Sequence, residues 1–222
     1  MKSLNFWILL WMMATSCLMF TSCGDDDDET GNGTTKKCHV DTDGRNVDFQ
    51  YAFFSVDEPT YSGDLYDYEL EFSNINYLNY NNNNIKEIIG KKISFIVIAF
   101  ASPNKYDVNS LPEGEFPFRS SYSSSKSDYY YDCEINLDCV SNSDGSSYCG
   151  QYYEADWDTG YESGNLIISR TSEGLYKIEI KDLKLKAAEP GNFDIDDSKR
   201  KTTGSFYFEG RFEDISNYDF DF

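Results

Sequence analysis

The sequence predicts an all-β domain: an antiparallel meander of about eight or nine short strands, folded as a β-sandwich or a small barrel. Three observations carry this. The 222 residues include 18 Tyr and 16 Phe, and aromatic and β-branched side chains favour pleated, half-buried surfaces. Segment after segment alternates apolar and polar residues with period two, and no convincing helical period interrupts them. Turn residues separate the segments at short intervals, as in sandwiches and barrels.

The elements follow in order. Residues 24–37, GDDDDETGNGTTKK, read as a flexible tether, so the folded part should begin near Cys38 and run to residue 214, with 215–222 as a tail. Val47 to Asp57 reads as a strand carrying Phe49, Tyr51 and Phe53 on one face. Leu65 to Phe72 sets Tyr66, Tyr68, Leu70 and Phe72 against Asp67, Glu69 and Glu71, the apolar-in, acid-out pattern of a half-buried antiparallel strand. Asn74 to Asn84 is a polar loop. Ile93 to Phe100, ISFIVIAF, is apolar on both faces and should be the most buried strand. Leu111 to Phe116 turns into a short strand, and Pro117, which lacks a donor, marks it as an edge or a bulge.

Tyr129 to Cys139 alternates, with Tyr129, Tyr131, Cys133, Ile135, Leu137 and Cys139 expected on one face. Cys149 to Trp157 follows. Asn165 to Arg170 and Leu175 to Leu185 form a hairpin in which Gly174 supplies positive φ, and the alternation slips at Asp182, which predicts a bulge. Ser205 to Glu213 points Phe206, Phe208 and Phe212 inward.

The amino-terminal stretch indicates location. Lys2 precedes an apolar run from Leu4 to Phe20, and Phe20-Thr21-Ser22 offers small residues for cleavage before Cys23. This resembles the lipobox of bacterial lipoproteins, which implies that residues 1–22 are a signal peptide and that Cys23 receives acyl chains. Two or more buried chains anchor a protein almost permanently, at about 0.8 kcal/mol per methylene. The run is short of the ~20 apolar residues that a membrane-spanning helix needs. Cys17 is a rival site, but Gly24-Asp25-Asp26-Asp27-Asp28-Glu29 follows Cys23 at once. That acidic run stays extended and solvated, and it is similar to the surface-export signal of Bacteroidetes lipoproteins. The expected location is therefore the outer membrane, lipid-anchored at the cell surface.

With Cys17 removed and Cys23 acylated, Cys38, Cys133, Cys139 and Cys149 remain in a compartment that permits disulfides. In an extended strand Cys133 and Cys139 lie ~20 Å apart, too far to bond. Asp144-Gly145 between Cys139 and Cys149 is a tight-turn signal. The expected pairing is Cys139–Cys149, with Cys38–Cys133 by elimination. The spacings match no zinc pattern.

A second resemblance rests on Tyr61-Ser62-Gly63-Asp64-Leu65-Tyr66, Leu111-Pro112-Glu113-Gly114-Glu115-Phe116, Gly164 to Ile168, Leu175 to Ile180 and Gly204 to Gly210. Together these look like a group of uncharacterised Bacteroidetes lipoproteins with one all-β domain. The resemblance spans residues 48–212 and implies architecture, with no active site.

Chemistry is sparsely signalled. The net charge of −20 excludes nucleic acid as a partner, because a phosphate backbone would be repelled. His39 is the only histidine, so histidine-based triads and metal clusters are not available, and no cofactor is expected. Asp41-Thr42-Asp43-Gly44 resembles part of a calcium loop, but the first acid of such loops is missing, and a simple turn is the preferred reading. Trp157, flanked by Asp156 and Asp158 and near Tyr153 and Tyr161, offers the flat apolar face and acceptors that sugar stacking requires. Trp157, Tyr161 and Tyr153 are thus the expected ligand contacts. The expected function is a non-catalytic surface lipoprotein binding an extracellular ligand such as a glycan. A structural or adhesive envelope component is the alternative, and a carboxylate-based glycoside hydrolase is a third.

Overall fold

The computed structural model describes residues 37–57, 65–79, 85–103, 111–119, 128–143, 147–156, 163–188 and 201–216. Its strands belong to one strongly curled, almost entirely antiparallel sheet of thirteen, as an all-β sandwich or barrel requires. In chain order they are β1 (Lys37–Thr42), β2 (Arg45–Asp48), β3 (Tyr51–Asp57), β4 (Tyr66–Ser73), β5 (Ile93–Ser102), β6 (Gly114–Phe116) and β7 (Tyr129–Ser141). Then come β8 (Ser147–Tyr148), β9 (Gln151–Ala155), β10 (Leu166–Arg170), β11 (Tyr176–Ala187), β12 (Lys201–Gly210) and β13 (Glu213–Asp214). Two short 3-10 turns, Tyr77–Asn79 and Ile85–Ile88, lie between β4 and β5.

The main path runs β13-β3-β4-β5-β7-β9-β11-β12-β1-β2. β2, at one end of it, is followed in the chain by β3, next to last at the other. Phe49 donates its N–H to Cys38 O on β1, and Gln50 donates to Ser73 O on β4, each at 3.0 Å. The predicted strand Val47 to Asp57 is therefore two strands, and the bend at 49–50 carries the sheet from one end of the path to the other. The Asp43-Gly44 turn between β1 and β2 has φ of 52° and 72°, the two positive values of a type I′ hairpin. β13 lies parallel to β3, Glu213 facing Phe53, and an isolated parallel bridge joins Phe118 to Tyr130.

The inner face of the curl is a single apolar cluster. Phe72 on β4 meets Phe206 and Phe208 of β12 at 4.6 and 5.1 Å between ring centroids, and Phe212 at 5.6 Å. Tyr68 stacks on Phe100 at 4.9 Å, and Phe100 meets Phe116 of β6 edge-on at 4.8 Å. β5 is buried on both faces from Ser94 to Ser102, as its sequence predicts. β6 pairs with β10 and stops before Pro117, in keeping with an edge position.

Three irregularities shape the sheet. At Asp182 (φ 56°) the β11–β12 register shifts between Ile180 and Leu183, so the bulge falls where it was predicted. It lets the first half of β11 pair with β10 and the second half with β9, a strand turning a corner between two parts of the sheet. Gly164 packs into this corner. A Cβ there would stand 1.8 Å from Lys181 O, and its N–H donates to Asp182 O. The other two irregularities lie in β7, opposite Ala99/Phe100 and Ile93/Phe95. They break the clean alternation expected from Tyr129 to Cys139. Tyr130, not Tyr129 or Tyr131, joins the core with Cys133, Ile135 and Leu137.

Candidate functional site: a carboxylate-lined sheet face

Cys23, Trp157 and Tyr161 lie outside the described residues. Tyr153 is described, and it is not a ligand contact. It points into the core with no exposed surface, and its hydroxyl shares its proton between Gln151 Oε1 at 2.5 Å and Asp43 Oδ2 at 3.0 Å. Period two decides this, because in β9 Tyr153 and Ala155 face inward and Tyr152 faces the other way. Asp156, expected to offer an acceptor beside Trp157, is itself fully buried, with Lys186 Nζ at 3.5 Å and Lys201 Nζ at 3.1 Å.

Cys139 and Cys149 form the expected disulfide. The Cys38–Cys133 bond does not form. Both thiols are free and buried, Cys38 beside Phe208 on β1 and Cys133 beside Ile98 on β7. Each fills core volume as a small hydrophobe, and burial pushes both thiols far up from their ordinary range, with Asp48 adding to Cys38 and Asp132 to Cys133. Elimination failed because it assumed that every cysteine must pair.

The Asp41-Thr42-Asp43-Gly44 stretch is a turn, as preferred. Protein donors occupy its carboxylates: Thr202 Oγ1 donates to Asp43 Oδ1 at 2.7 Å and Asn46 Nδ2 to Asp41 Oδ1 at 2.8 Å.

The concentrated chemistry lies elsewhere, on the outer face of β4, β5, β7 and β9. Cross-strand register sets it out in rows. One row reads Glu69, Ala99, Asp132. The next reads Glu71, Val97, Glu134, Glu154. Ala99 and Val97 on the central strand are thus flanked by acids on both sides, two strand spacings or ~10 Å apart between backbones. The bulge in β7 creates this arrangement. Without the extra residue at Tyr131, Asp132 would share the inward face of Tyr130, and bulges characteristically re-aim a side chain in this way.

This face is not solvated like an ordinary polar surface. Glu71 is 4 % and Glu134 8 % exposed, and Asn136, one row on, is fully buried with no partner for its Nδ2. Glu69 Oε1 and Asp132 Oδ1 are sealed from solvent and accept no hydrogen bond. Burial, then the charges of Asp132 and Asp57, push the Glu69 carboxyl up to about 8. Burial and the charge of Glu154 push Asp132 up to about 7, against a hydrogen bond from the Cys133 backbone that favours the anion. Tyr152 rises too, through burial and the fields of Glu134, Glu154 and Asp132, which identifies it, rather than Tyr153, as the tyrosine of this face. Sequence reasoning saw Glu69 and Glu71 as acid-out positions and gave them to water; no local signal indicates that an outer face is covered. Among the described residues no three His, Cys, Asp or Glu side chains converge to hold a metal ion. No family model matches the chain, and neither a curated protein nor a solved structure is similar to it.

Proposed function

We propose that the chain is a lipid-anchored outer-membrane lipoprotein, exposed at the cell surface, whose non-catalytic β domain binds an extracellular ligand, with glycans the first class to test. The observation that carries the anchor is Phe20-Thr21-Ser22-Cys23 followed, after Gly24, by five acids, a thiol at a cleavage site and then a self-repelling tether. A first described strand at Lys37–Thr42, beyond an acidic and polar stretch that follows Cys23, suits that reading. Labelled palmitate fed to cells should enter the wild-type protein and not Cys23→Ala; equal labelling of the two overturns the anchor. For the ligand, binding on a glycan array should fall at least tenfold in Trp157→Ala, and binding indifferent to that change removes Trp157 from the site.

A carboxylate-based hydrolase is the second reading, favoured by Glu69 and Asp132 flanking Ala99, both with carboxyls that burial pushes above the ordinary range. The sealed oxygens weigh against it, since a polysaccharide needs an open cleft to reach them. Release of reducing ends from glycans, abolished in both Glu69→Gln and Asp132→Asn, would favour it over a binding protein.

A further inference from the structure

We propose that Glu69 and Asp132 bind an N–H-donating cation, either the ammonium ion or the terminal ammonium of a primary amine, held between their carboxyl groups above Ala99. The site is independent of the membrane anchor. Four observations lead to it. The register places the two acids on either side of Ala99, the smallest side chain of that row. Each presents an oxygen sealed from solvent that accepts no hydrogen bond. Neither has an ion-pair partner among the described residues, and the groups that act on them, Asp57 on β3 and Glu154 on β9, are acids too. The adjoining row adds Glu71 and Glu134, both buried.

Enclosed carboxylates without a counter-charge are costly, and a protein meets that cost with a proton or a cation. The occupant must be small and must donate. Calcium takes 6–8 oxygens, whereas no three acids converge here and strand carbonyls are engaged in the ladder. An ammonium group needs only acceptors, and its three or four N–H bonds suit unmet carboxylate oxygens on two sides.

Thermal melts of the full chain at pH 8 and constant ionic strength test this, with tetramethylammonium chloride replaced stepwise by ammonium, methylammonium or potassium chloride. Ammonium at 100 mM should raise Tm by about 4 °C over tetramethylammonium, as a site with a Kd on the order of 10 mM would. Potassium should not. A matching rise with methylammonium assigns the site to primary amines, and a rise with ammonium alone assigns it to the free ion. The rise should vanish in the double variant Glu69→Gln/Asp132→Asn. Potassium acting as strongly as ammonium, an undiminished rise in the double variant, or no difference from tetramethylammonium each overturns the proposal. Should the double variant fail to fold, the wild-type protein decides: the ammonium rise should be present at pH 8 and absent at pH 4, where both carboxyls are protonated, and an equal rise at the two pH values overturns the proposal.

Discussion

A carboxyl whose proton affinity is raised by burial makes stability depend on pH in one direction. For Glu69 and Asp132 the folded-state values, about 8 and about 7, lie above the ordinary 4.5 and 3.8. Folding therefore favours the protonated forms. Their contribution is fully present below the ordinary values and is lost as pH rises through about 7 to 8, where the two groups titrate as a pair. Glu69→Gln should be nearly neutral to stability at pH 4 and should stabilise at pH 8.5 by on the order of 2 kcal/mol; urea melts at the two pH values check this, and a loss of stability at pH 8.5 contradicts it. The free thiols behave oppositely, as inert filling. Cys133→Ser should cost roughly 1–3 kcal/mol, because a buried hydroxyl without a partner replaces a weakly polar thiol. Maleimide should label Cys38 and Cys133 only after unfolding.

At the scale of elements, the corner that β11 turns between β10 and β9 depends on one glycine. Thr171 Oγ1 accepts from the Glu173 and Leu175 amides, and Gly174 (φ 76°) closes the hairpin, all of it local chemistry readable from Thr-Ser-Glu-Gly. Gly164 is different. Its φ is unremarkable, and only the carbonyl of Lys181 forbids a side chain there. Gly164→Ala should cost about 3 kcal/mol or more, since backbone must move. Gly44→Ala, with open space but φ of 72°, should cost only about 1 kcal/mol. The difference in urea midpoints of the two variants measures the corner. The same contrast separates the legible bulge from the hidden ones. At Asp182 a charged residue interrupts an apolar alternation, so the slip shows. In β7 Tyr130 and Tyr131 are alike, and either phase satisfies the pattern until packing chooses between them.

Across the whole molecule, the curl holds because its two halves share one aromatic interior. Phe72 joins them, with three phenylalanine rings of the carboxyl-terminal segment around it. Phe72→Ala should cost about 3–5 kcal/mol and lower the transition as a whole, with tyrosine fluorescence and far-ultraviolet circular dichroism changing together. Separate transitions for the two signals would mean that the halves fold apart.

The sequence alone determined the all-β class, the burial of β5, the β10–β11 hairpin, the bulge at Asp182 and the Cys139–Cys149 bond, because period-two burial, glycine at positive φ and tight turns are local physics. It also marked Cys23, Trp157 and Tyr161, whose roles stand on that sequence alone. Tertiary structure decided the rest. It made Tyr153 a core residue and left Cys38 and Cys133 unpaired. Through a one-residue bulge it set Asp132 across Ala99 from Glu69. Which acids lose their water is a property of what packs over a sheet face, and no alternation along a single strand records it.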